Sequence, residues 1–155
     1  MPIRPATPDD LDTLTRLRTE FLAEVRGRPA DGPDTQAAAD NRAFFARTMA
    51  DRSIGSWVAE EDGAVVGIAS VVVHDAPPLP EDPRTREGTI INLYVRPAAR
   101  GRGIGRALLE ACLADAPDQG IRRFSLYATD AGRPVYERSG FTTDPRWMTL
   151  QVPPG

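Results

Sequence analysis

The chain has 155 residues, with 19 basic and 22 acidic side chains and a formal net charge of −3. This length is close to the average of about 150 residues per domain, so we expect one domain over residues 1–155. A single cysteine and a single histidine exclude an intrachain disulfide and multi-histidine or multi-cysteine metal sites. The acidic charge, the short apolar runs and the N-terminal sequence predict a cytoplasmic protein that binds neither nucleic acid nor membrane.

A short strand and two helices are predicted at the start of the chain. Residues 3–6 have strand character, and Thr7 and Asp10 match the N-cap and the acidic member of a capping box. Glycine and proline between Gly27 and Pro33 end the first helix, and a second is predicted from about Asp34 to Asp51. In the first helix, the apolar residues at helical spacing are Leu11, Leu14, Leu17, Phe21, Leu22 and Val25. In the second helix, the expected core residues are Phe44, Phe45 and Met49.

Three strands are predicted next, because the apolar pattern changes from helical spacing to alternation. Two of them, at 56–60 and 65–74, are joined by an Asp-Gly hairpin signal. An irregular loop with four prolines occupies 75–86, and loops of this length are often functional. The segment 89–95, Thr-Ile-Ile-Asn-Leu-Tyr-Val, is predicted as one continuous apolar strand.

Helices and strands alternate in the last third of the chain. A helix over 104–116, a strand over 122–128 and a short helix over 133–139 are predicted in turn. Cys112, on the apolar side of the first of these helices, is interpreted as a core residue rather than a nucleophile. The final segment, with Phe141 and residues 148–152, predicts a closing hairpin. The complete order, β-α-α-β-β-β-α-β-α-β-β, predicts an α/β fold with a mixed sheet.

Positive charge is concentrated at one predicted strand–loop–helix junction. The 22 residues from Gly88 to Leu109 contain four arginines and no acidic residue, and residues 100–106 read Arg-Gly-Arg-Gly-Ile-Gly-Arg. Glycines let the backbone turn tightly, so that successive N–H groups can line a concave anion site next to a helix N-terminus. Arginine adds paired N–H donors for phosphate oxygens. The junction therefore predicts a polyphosphate-binding site.

Two common phosphate-binding motifs are excluded at this junction. Every basic side chain of the protein is arginine, and the nucleoside-triphosphate P-loop requires a lysine. The dinucleotide motif requires glycine or alanine at its last position, which is Arg106 when counted from Gly101 and Leu108 when counted from Gly103. We therefore expect a polyphosphate ligand of another kind.

Two motifs carry a family resemblance. Arg100-x-x-Gly103-x-Gly105 is similar to the pattern [Q/R]-x-x-G-x-[G/A], and residues 132–141 are similar to L-Y-x-x-x-G-F. In these motifs, and in the order of its elements over nearly the whole chain, the sequence resembles the GNAT superfamily of N-acetyltransferases. This resemblance implies a GNAT-like acyl-CoA N-acyltransferase fold, acetyl-CoA as cosubstrate and no metal.

The resemblance also implies how acetyl-CoA binds. The loop 100–106 holds the pyrophosphate, mostly through backbone amides, and the strand end 93–95 pairs with the pantetheine arm while splaying away from the strand 122–128. Thr129 stands where many members have asparagine, and its hydroxyl can still donate to pantetheine or to a bound water. The cofactor-binding residues implied in this way are Leu93, Tyr94, Val95, Arg100, Gly101, Arg102, Gly103, Ile104, Gly105, Arg106, Thr129 and Tyr136.

The catalytic candidates differ in how well their roles are defined. The resemblance implies that Tyr136 is the general acid that protonates the CoA thiolate, and that a backbone N–H of residues 93–95 stabilises the oxyanion. The general base is left open among Glu87, which precedes the central strand, His74, whose ordinary pKa suits the task, and Asn92, which can only position a water. For Glu87 and His74 a structural role is the alternative.

The resulting functional prediction is an acetyl-CoA-dependent N-acetyltransferase in which a primary amine attacks the thioester directly in a ternary complex. The acceptor is a small-molecule or peptide amine, bound by the first two helices, the proline-rich loop and the C-terminal hairpin. Acidic residues suit a cationic acceptor, although a solvated surface explains them equally well; they include Asp75, Glu81, Asp82 and Glu87. A non-catalytic acyl-CoA-binding or sensing module and a transferase for a longer acyl-CoA are the alternatives, and a homodimer is left open.

Overall fold

The computed structural model describes residues 2–30, 32 and 35–155, so the predicted element ends at Pro33 and Asp34 lie outside the described residues. Helices and strands alternate in the order expected of a mixed α/β fold. They are β1 (Ile3–Pro5), α1 (Leu11–Arg26), α2 (Gln36–Ala50), β2 (Ile54–Glu61), β3 (Ala64–Asp75), β4 (Arg86–Ile90), β5 (Tyr94–Val95), α3 (Ile104–Ala114), β6 (Ile121–Leu126) and α4 (Arg133–Arg138).

Capping interactions fix both ends of α1. The Asp10 carboxylate accepts a hydrogen bond from the Thr7 N–H at 2.8 Å, as the predicted capping box requires. Arg4 of β1 donates to the same carboxylate at 2.7 Å, and this hydrogen bond is the largest cause that lowers the pKa of Asp10 to about 2. The helix ends at Gly27, whose φ of 63° is a left-handed conformation that glycine adopts without strain. Polar contacts therefore tie the start of α1 to the sheet.

The sheet has helices on both faces. Its strand order is β1-β2-β3-β4-β6, with β5 paired to β3, and only β4 and β6 run parallel. Trp57 and Val71 point to the face covered by α3, whereas Val58 and Ile68 point to the face covered by α1 and α2. Because both faces are buried, the central strands are apolar almost without interruption.

The predicted strand 89–95 is interrupted, and the expectation of one continuous strand was wrong. β4 ends at Ile90, opposite Val71, and β5 begins at Tyr94, opposite Ile68. Three residues, 91–93, therefore face two residues of β3, which is a β-bulge with one extra residue. The parallel pairing of β4 with β6 also stops at Ile90, so β5 and β6 separate beyond this point.

The predicted C-terminal hairpin is also wrong. Residues 142–155 form no strand, and the side chains of Trp147, Met148, Leu150 and Val152 are exposed. Alternation of apolar and polar residues predicts an extended backbone but does not specify the strand with which it pairs. Within the part of the chain that the structure describes, this segment has no such partner.

Gly88 in β4 gives a test of the packing between β4 and the side chains of its two neighbouring strands, β3 and β6. A Cβ atom there would lie 2.7 Å from Phe124 Cδ1 and 2.9 Å from Val71 Cγ1. Gly88→Ala should therefore lower the free energy of unfolding by about 1–3 kcal/mol, the usual cost of overpacking, as measured by urea denaturation. Gly32→Ala is the control, because no heavy atom of the described residues, apart from its own chain neighbours, lies within 4 Å of its Cβ position. A Gly88→Ala protein as stable as wild type would contradict this packing.

Candidate active site

A cavity of about 780 Å³ opens where β5 and β6 separate. Its walls are formed by β5, the loop that leads into α3, the segment 127–132 together with α4, and the C-terminal half of α1. We call it the β5–β6 cavity. Of the residues predicted to bind the cofactor, all except Arg102 line it. Its volume is within the range of about 300–1,000 Å³ that small-molecule sites occupy.

Six consecutive backbone N–H groups, from Gly101 to Arg106, donate to no protein acceptor among the described residues. The first turn of α3 is closed only by Ala107, whose N–H donates to the Gly103 carbonyl at 3.0 Å. Gly101 and Gly103 both have φ of 78°, which a residue with a side chain rarely adopts. Together with the dipole of α3, these donors form a concave site for an anion, which we call the N–H cradle.

The arginines of this region are already paired with glutamates. The pairs are Arg96–Glu20, Arg100–Glu24, Arg102–Glu61 and Arg106–Glu110, with N–O distances of 2.6 to 2.7 Å. The concentration of positive charge seen in the sequence is therefore compensated in the folded chain. Arg100 and Arg106 line the cavity, whereas Arg102 does not. The donors there that have no acceptor among the described residues are the backbone N–H groups of the cradle.

Tyr136 of α4 has a hydroxyl that is available to a ligand. Its ring is mostly buried and packs edge-on against Phe141, with ring centroids 5.8 Å apart. Burial, with a smaller contribution from Cys112, raises the pKa of Tyr136 to about 12. Its hydroxyl makes no hydrogen bond to any described residue, although the side chain lines the β5–β6 cavity. The phenol therefore keeps its proton at neutral pH and can donate it to a bound group.

Thr129 connects β6 to α4 at the same wall. Its hydroxyl oxygen accepts a hydrogen bond from the Gly132 N–H at 3.1 Å, and its carbonyl accepts one from the Arg133 N–H at 2.9 Å. These bonds hold the first turn of α4, which carries Tyr136. The hydroxyl proton of Thr129 remains available to donate to a ligand.

The bulge places unpaired polar groups between the strands. Asn92 is fully buried; its Oδ1 accepts a hydrogen bond from Arg18 Nη1, and its Nδ2 has no partner among the described residues. The backbone N–H groups of Asn92 and Leu93 also donate to no described protein acceptor, whereas Ile91 N–H donates to the Ser70 carbonyl at 3.0 Å. Because Leu93 lines the β5–β6 cavity, a free backbone donor lies at its wall.

Glu87 lies at the opposite end of β4 from the bulge. Its carboxylate pairs with Arg122 and Arg123 at 2.9 Å each and lies 4.0 Å from His74 Nε2. Burial alone raises the pKa of Glu87, but the hydrogen bonds and charges of Arg123 and Arg122 outweigh it, so the pKa is lowered overall. Neither Glu87 nor His74 lines the β5–β6 cavity. This placement favours a structural role for both.

A second cavity, of about 530 Å³, lies between α1 and α2. Ile91 lines this α1–α2 cavity and Leu93 lines the β5–β6 cavity, so the bulge lies between the two. Arg18 is at its wall and was missed as a site residue in the sequence. The available signal was its position four residues after Leu14 and four before Leu22, on the apolar stripe of α1.

We also considered a metal site, a membrane-spanning helix and a reactive cysteine among the described residues. Residues 2–30, 32 and 35–155 contain no group of three or more histidine, cysteine, aspartate or glutamate side chains that could hold a metal ion. No helix among them is long and apolar enough to cross a membrane. Cys112 is buried in the core, as predicted, and burial raises the pKa of its thiol to about 12.

Comparison with known families decides the classification of this fold and site. The model described as the acetyltransferase (GNAT) family matches residues 15–141. The chain belongs to the acetyltransferase (GNAT) family. The predicted family and α/β fold class are thereby confirmed.

Curated relatives are named mycothiol acetyltransferases. One from Thermomonospora curvata is 33% identical over 145 residues, which is 90% of this chain and 45% of the relative. One from Propionibacterium freudenreichii is 35% identical over 138 residues, which is 86% of this chain and 40% of the relative. The chain thus spans less than half the length of these relatives, and a single N-acetyltransferase domain over 1–155 stays a prediction.

Solved structures match over almost the whole chain. A predicted acetyltransferase with acetyl-CoA from Clostridium acetobutylicum has a TM-score of 0.85 and 27% identity, covering 97% of this chain and 95% of that one. A GCN5-related N-acetyltransferase from Ralstonia eutropha has a TM-score of 0.81 and 35% identity, with 97% of both chains covered. The likeness therefore includes both the α1–α2 side and the cradle side of the molecule.

The role of Glu87 can be tested through pH-dependent stability. Glu87→Gln leaves the buried Arg122 without its carboxylate and should lower the free energy of unfolding by about 3 kcal/mol at neutral pH. Because folding lowers the pKa of Glu87, its stabilisation is present above the unfolded pKa of about 4.3 and is lost as pH falls through the folded value. Urea denaturation should therefore show the variant and wild type converging below about pH 4.

Asp12→Asn is the control for this test, since the Asp12–Arg42 pair is exposed and is expected to contribute less than about 1 kcal/mol. A Glu87→Gln protein that is fully stable but has lost acetyl transfer would contradict the structural role and support proton abstraction.

The N–H cradle predicts that backbone conformation matters more than the Arg102 charge. Gly103→Ala places a side chain at φ of 78°, where the left-handed conformation costs about 1–2 kcal/mol. If the loop avoids this cost by changing conformation, acetyl-CoA binding should weaken by about five- to thirtyfold. Arg102→Ala keeps the backbone N–H and removes exposed side-chain contacts with Glu61 and the Ala98 carbonyl, so its affinity should stay within about twofold. Calorimetric titration with acetyl-CoA measures both, and the reverse order would contradict a backbone cradle.

Proposed function

We propose that this chain transfers the acetyl group of acetyl-CoA to a primary amine by direct attack in a ternary complex. The observation that carries the proposal is that one cavity contains both the N–H cradle and a protonated tyrosine hydroxyl without a partner among the described residues. The first group suits the pyrophosphate of CoA and the second suits its leaving thiolate. Relatives named as acetyltransferases and N-acetyltransferases support this reaction.

In the proposed complex, acetyl-CoA lies along β5. Its pyrophosphate accepts hydrogen bonds from the N–H cradle, and its pantetheine arm occupies the gap between β5 and β6. Thr129 donates to that arm from the opposite wall. The thioester then reaches the bulge, where the Leu93 N–H is free to donate to the carbonyl oxygen.

The chemical step forms one bond and breaks one. The amine nitrogen attacks the thioester carbon, the C–N bond forms, and the Leu93 N–H stabilises the oxyanion before the C–S bond breaks. The amine proton passes to a water and from there to bulk solvent. Asn92 is the predicted positioning residue for this water, but its side chain is fully buried and lines neither cavity, so its surroundings do not support that role. Tyr136 donates to the departing thiolate, and because its pKa of about 12 is above the value of about 8.5 for an ordinary thiol, hydrogen bonding contributes more than full proton transfer.

The acceptor is proposed to enter from the other side of the bulge. The α1–α2 cavity lies between the first two helices, where the sequence placed the acceptor, and it reaches the bulge at Ile91. The proline-rich loop and the C-terminal segment do not line it. A small-molecule or peptide amine in this cavity can meet the thioester without displacing CoA.

The competing function is a non-catalytic acyl-CoA-binding module. It is favoured by the lack of an obvious general base: among the described residues that line the β5–β6 cavity there is no histidine, and the one carboxylate, Glu24, is paired with Arg100. Incubation with acetyl-CoA and a broad amine panel, followed by measurement of free thiol, separates the two functions. Binding of acetyl-CoA without thiol release from any amine would favour the module. Competition by CoA esters of increasing chain length identifies a preference for a longer acyl group.

Tyr136 gives the sharpest test of the proposed chemistry. Tyr136→Phe keeps the ring packed against Phe141 and removes only the hydroxyl, so turnover should fall at least about tenfold, within the usual effect of losing an acid–base group. The affinity for acetyl-CoA, measured by titration, should change little. Unchanged turnover would remove Tyr136 from the mechanism, whereas lost acetyl-CoA binding would assign it to cofactor recognition instead.

A further inference from the structure

Arg18 on α1 is a partly buried cation without a carboxylate partner. Its Nε donates to Asn41 Oδ1 at 2.7 Å and its Nη1 donates to Asn92 Oδ1, so both contacts are with neutral amides. No described carboxylate lies within ion-pair distance of its guanidinium, and Nη2 makes no hydrogen bond to the described residues. Burial, and then the charge of Arg26, lower the pKa of Arg18. The fold thus holds a guanidinium in a costly position that an anion would relieve.

The α1–α2 cavity around Arg18 is electropositive. Arg18, Arg26 and Arg28 line it, and Asp40 is the acidic residue among the described lining residues. The acidic residues that suit a cationic acceptor in the sequence line neither cavity; they are Asp75, Glu81, Asp82 and Glu87. These four carboxylates therefore give no reason to expect a cationic acceptor in the α1–α2 cavity.

We propose that the acceptor amine carries an anionic group, either a carboxylate or a phosphate, and that Arg18 binds this group in the α1–α2 cavity. The inference rests on the acetyl transfer proposed above and specifies its substrate class. A guanidinium suits both anions, because its planar set of N–H donors can contact two oxygens at once. Nη2 supplies the free donors, while Asn41 and Asn92 fix the plane of the group.

The position of Arg18 also limits the length of the acceptor. Arg18 contacts Asn92, and Asn92 precedes Leu93, whose N–H is the proposed oxyanion donor. An anion bound to Arg18 therefore lies close to the place where the amine must meet the thioester. A short separation between amine and anion, as in an α-amino acid or an aminoalkyl phosphate, fits this arrangement better than a long one.

Matched substrate pairs test the proposal. Several α-amino acids are compared with their α-amino amides, and 2-aminoethyl phosphate is compared with ethanolamine, by measuring thiol release from acetyl-CoA. Wild type should favour the anionic member of at least one kind of pair by about tenfold or more in kcat/KM, mainly through KM. A preference confined to the amino acids identifies a carboxylate, and one confined to the phosphate pair identifies a phosphate.

Two variants assign the preference to Arg18. Arg18→Gln should abolish it, and Arg18→Lys, which keeps the charge without the planar donors, should restore part of it. Arg16→Gln is the matched control, because Arg16 is an exposed arginine on the same helix. Acetyl-CoA affinity should be unchanged in all three variants, which shows that they are folded. A wild type without anion preference, or an Arg18→Gln protein that retains it, would overturn the proposal.

Failure of acetyl transfer itself gives a different result. If no amine releases thiol although acetyl-CoA binds, the proposed function fails. Calorimetric binding of the same pairs to the CoA-loaded protein then decides the role of Arg18 separately. Binding of only the anionic members, lost in Arg18→Gln, supports an anion site, and equal binding of both members overturns it.

Discussion

One extra residue in the strand opposite β3 is the constraint on which the site depends. Because residues 91–93 face only two residues of β3, the strand bends and its pairing with β6 ends at Ile90. The gap that results becomes the β5–β6 cavity. The bulge leaves the Asn92 Nδ2 and the Leu93 N–H without acceptors among the described residues, and a buried donor without an acceptor costs about 1–3 kcal/mol. Such a feature persists only where its surroundings hold it, and here Arg18 of α1 holds Asn92.

The charges of the arginines next to the N–H cradle are balanced by glutamates of α1. Glu20 and Glu24 of α1 pair with Arg96 and Arg100, so the arginines that precede the cradle serve to attach α1 to the loop. An anion at the cradle is then attracted by backbone N–H groups and by the dipole of α3, which are fixed before the ligand arrives. A flexible guanidinium loses side-chain freedom when it binds, whereas a backbone donor in a rigid turn does not. The proposed anion site therefore relies on backbone donors in a chain whose net charge is −3.

Features with local sequence signals were predicted well, and features set by distant contacts were not. The capping box at Thr7 and Asp10 was predicted because the residues that form it lie close together in the sequence. The same holds for the hairpin at Asp62-Gly63, where both φ angles are positive.

The bulge, in contrast, depends on the register with β3, which the apolar residues of 89–95 do not encode. Residues 148–152 alternate like a strand but have no partner among the described residues. Arg18 contacts Asn92, 74 positions away, so only its place on an apolar stripe marked it.

α1 is the wall that the two cavities share. Phe21 and Val25 line the β5–β6 cavity, while Leu22 and Arg26 line the α1–α2 cavity. Neighbouring residues on a helix point about 100° apart, so one rigid element presents adjacent faces to the proposed cofactor site and to the proposed acceptor site.

An enzyme with an acyl-enzyme intermediate can bind its two substrates in the same space in turn, whereas direct transfer requires both at once and at a fixed separation. Two cavities that meet at one bulge and share one helix suit the second arrangement. Since α1 carries both Arg18 and the glutamates that hold the loop before the cradle, any movement of this helix would shift both proposed binding sites together.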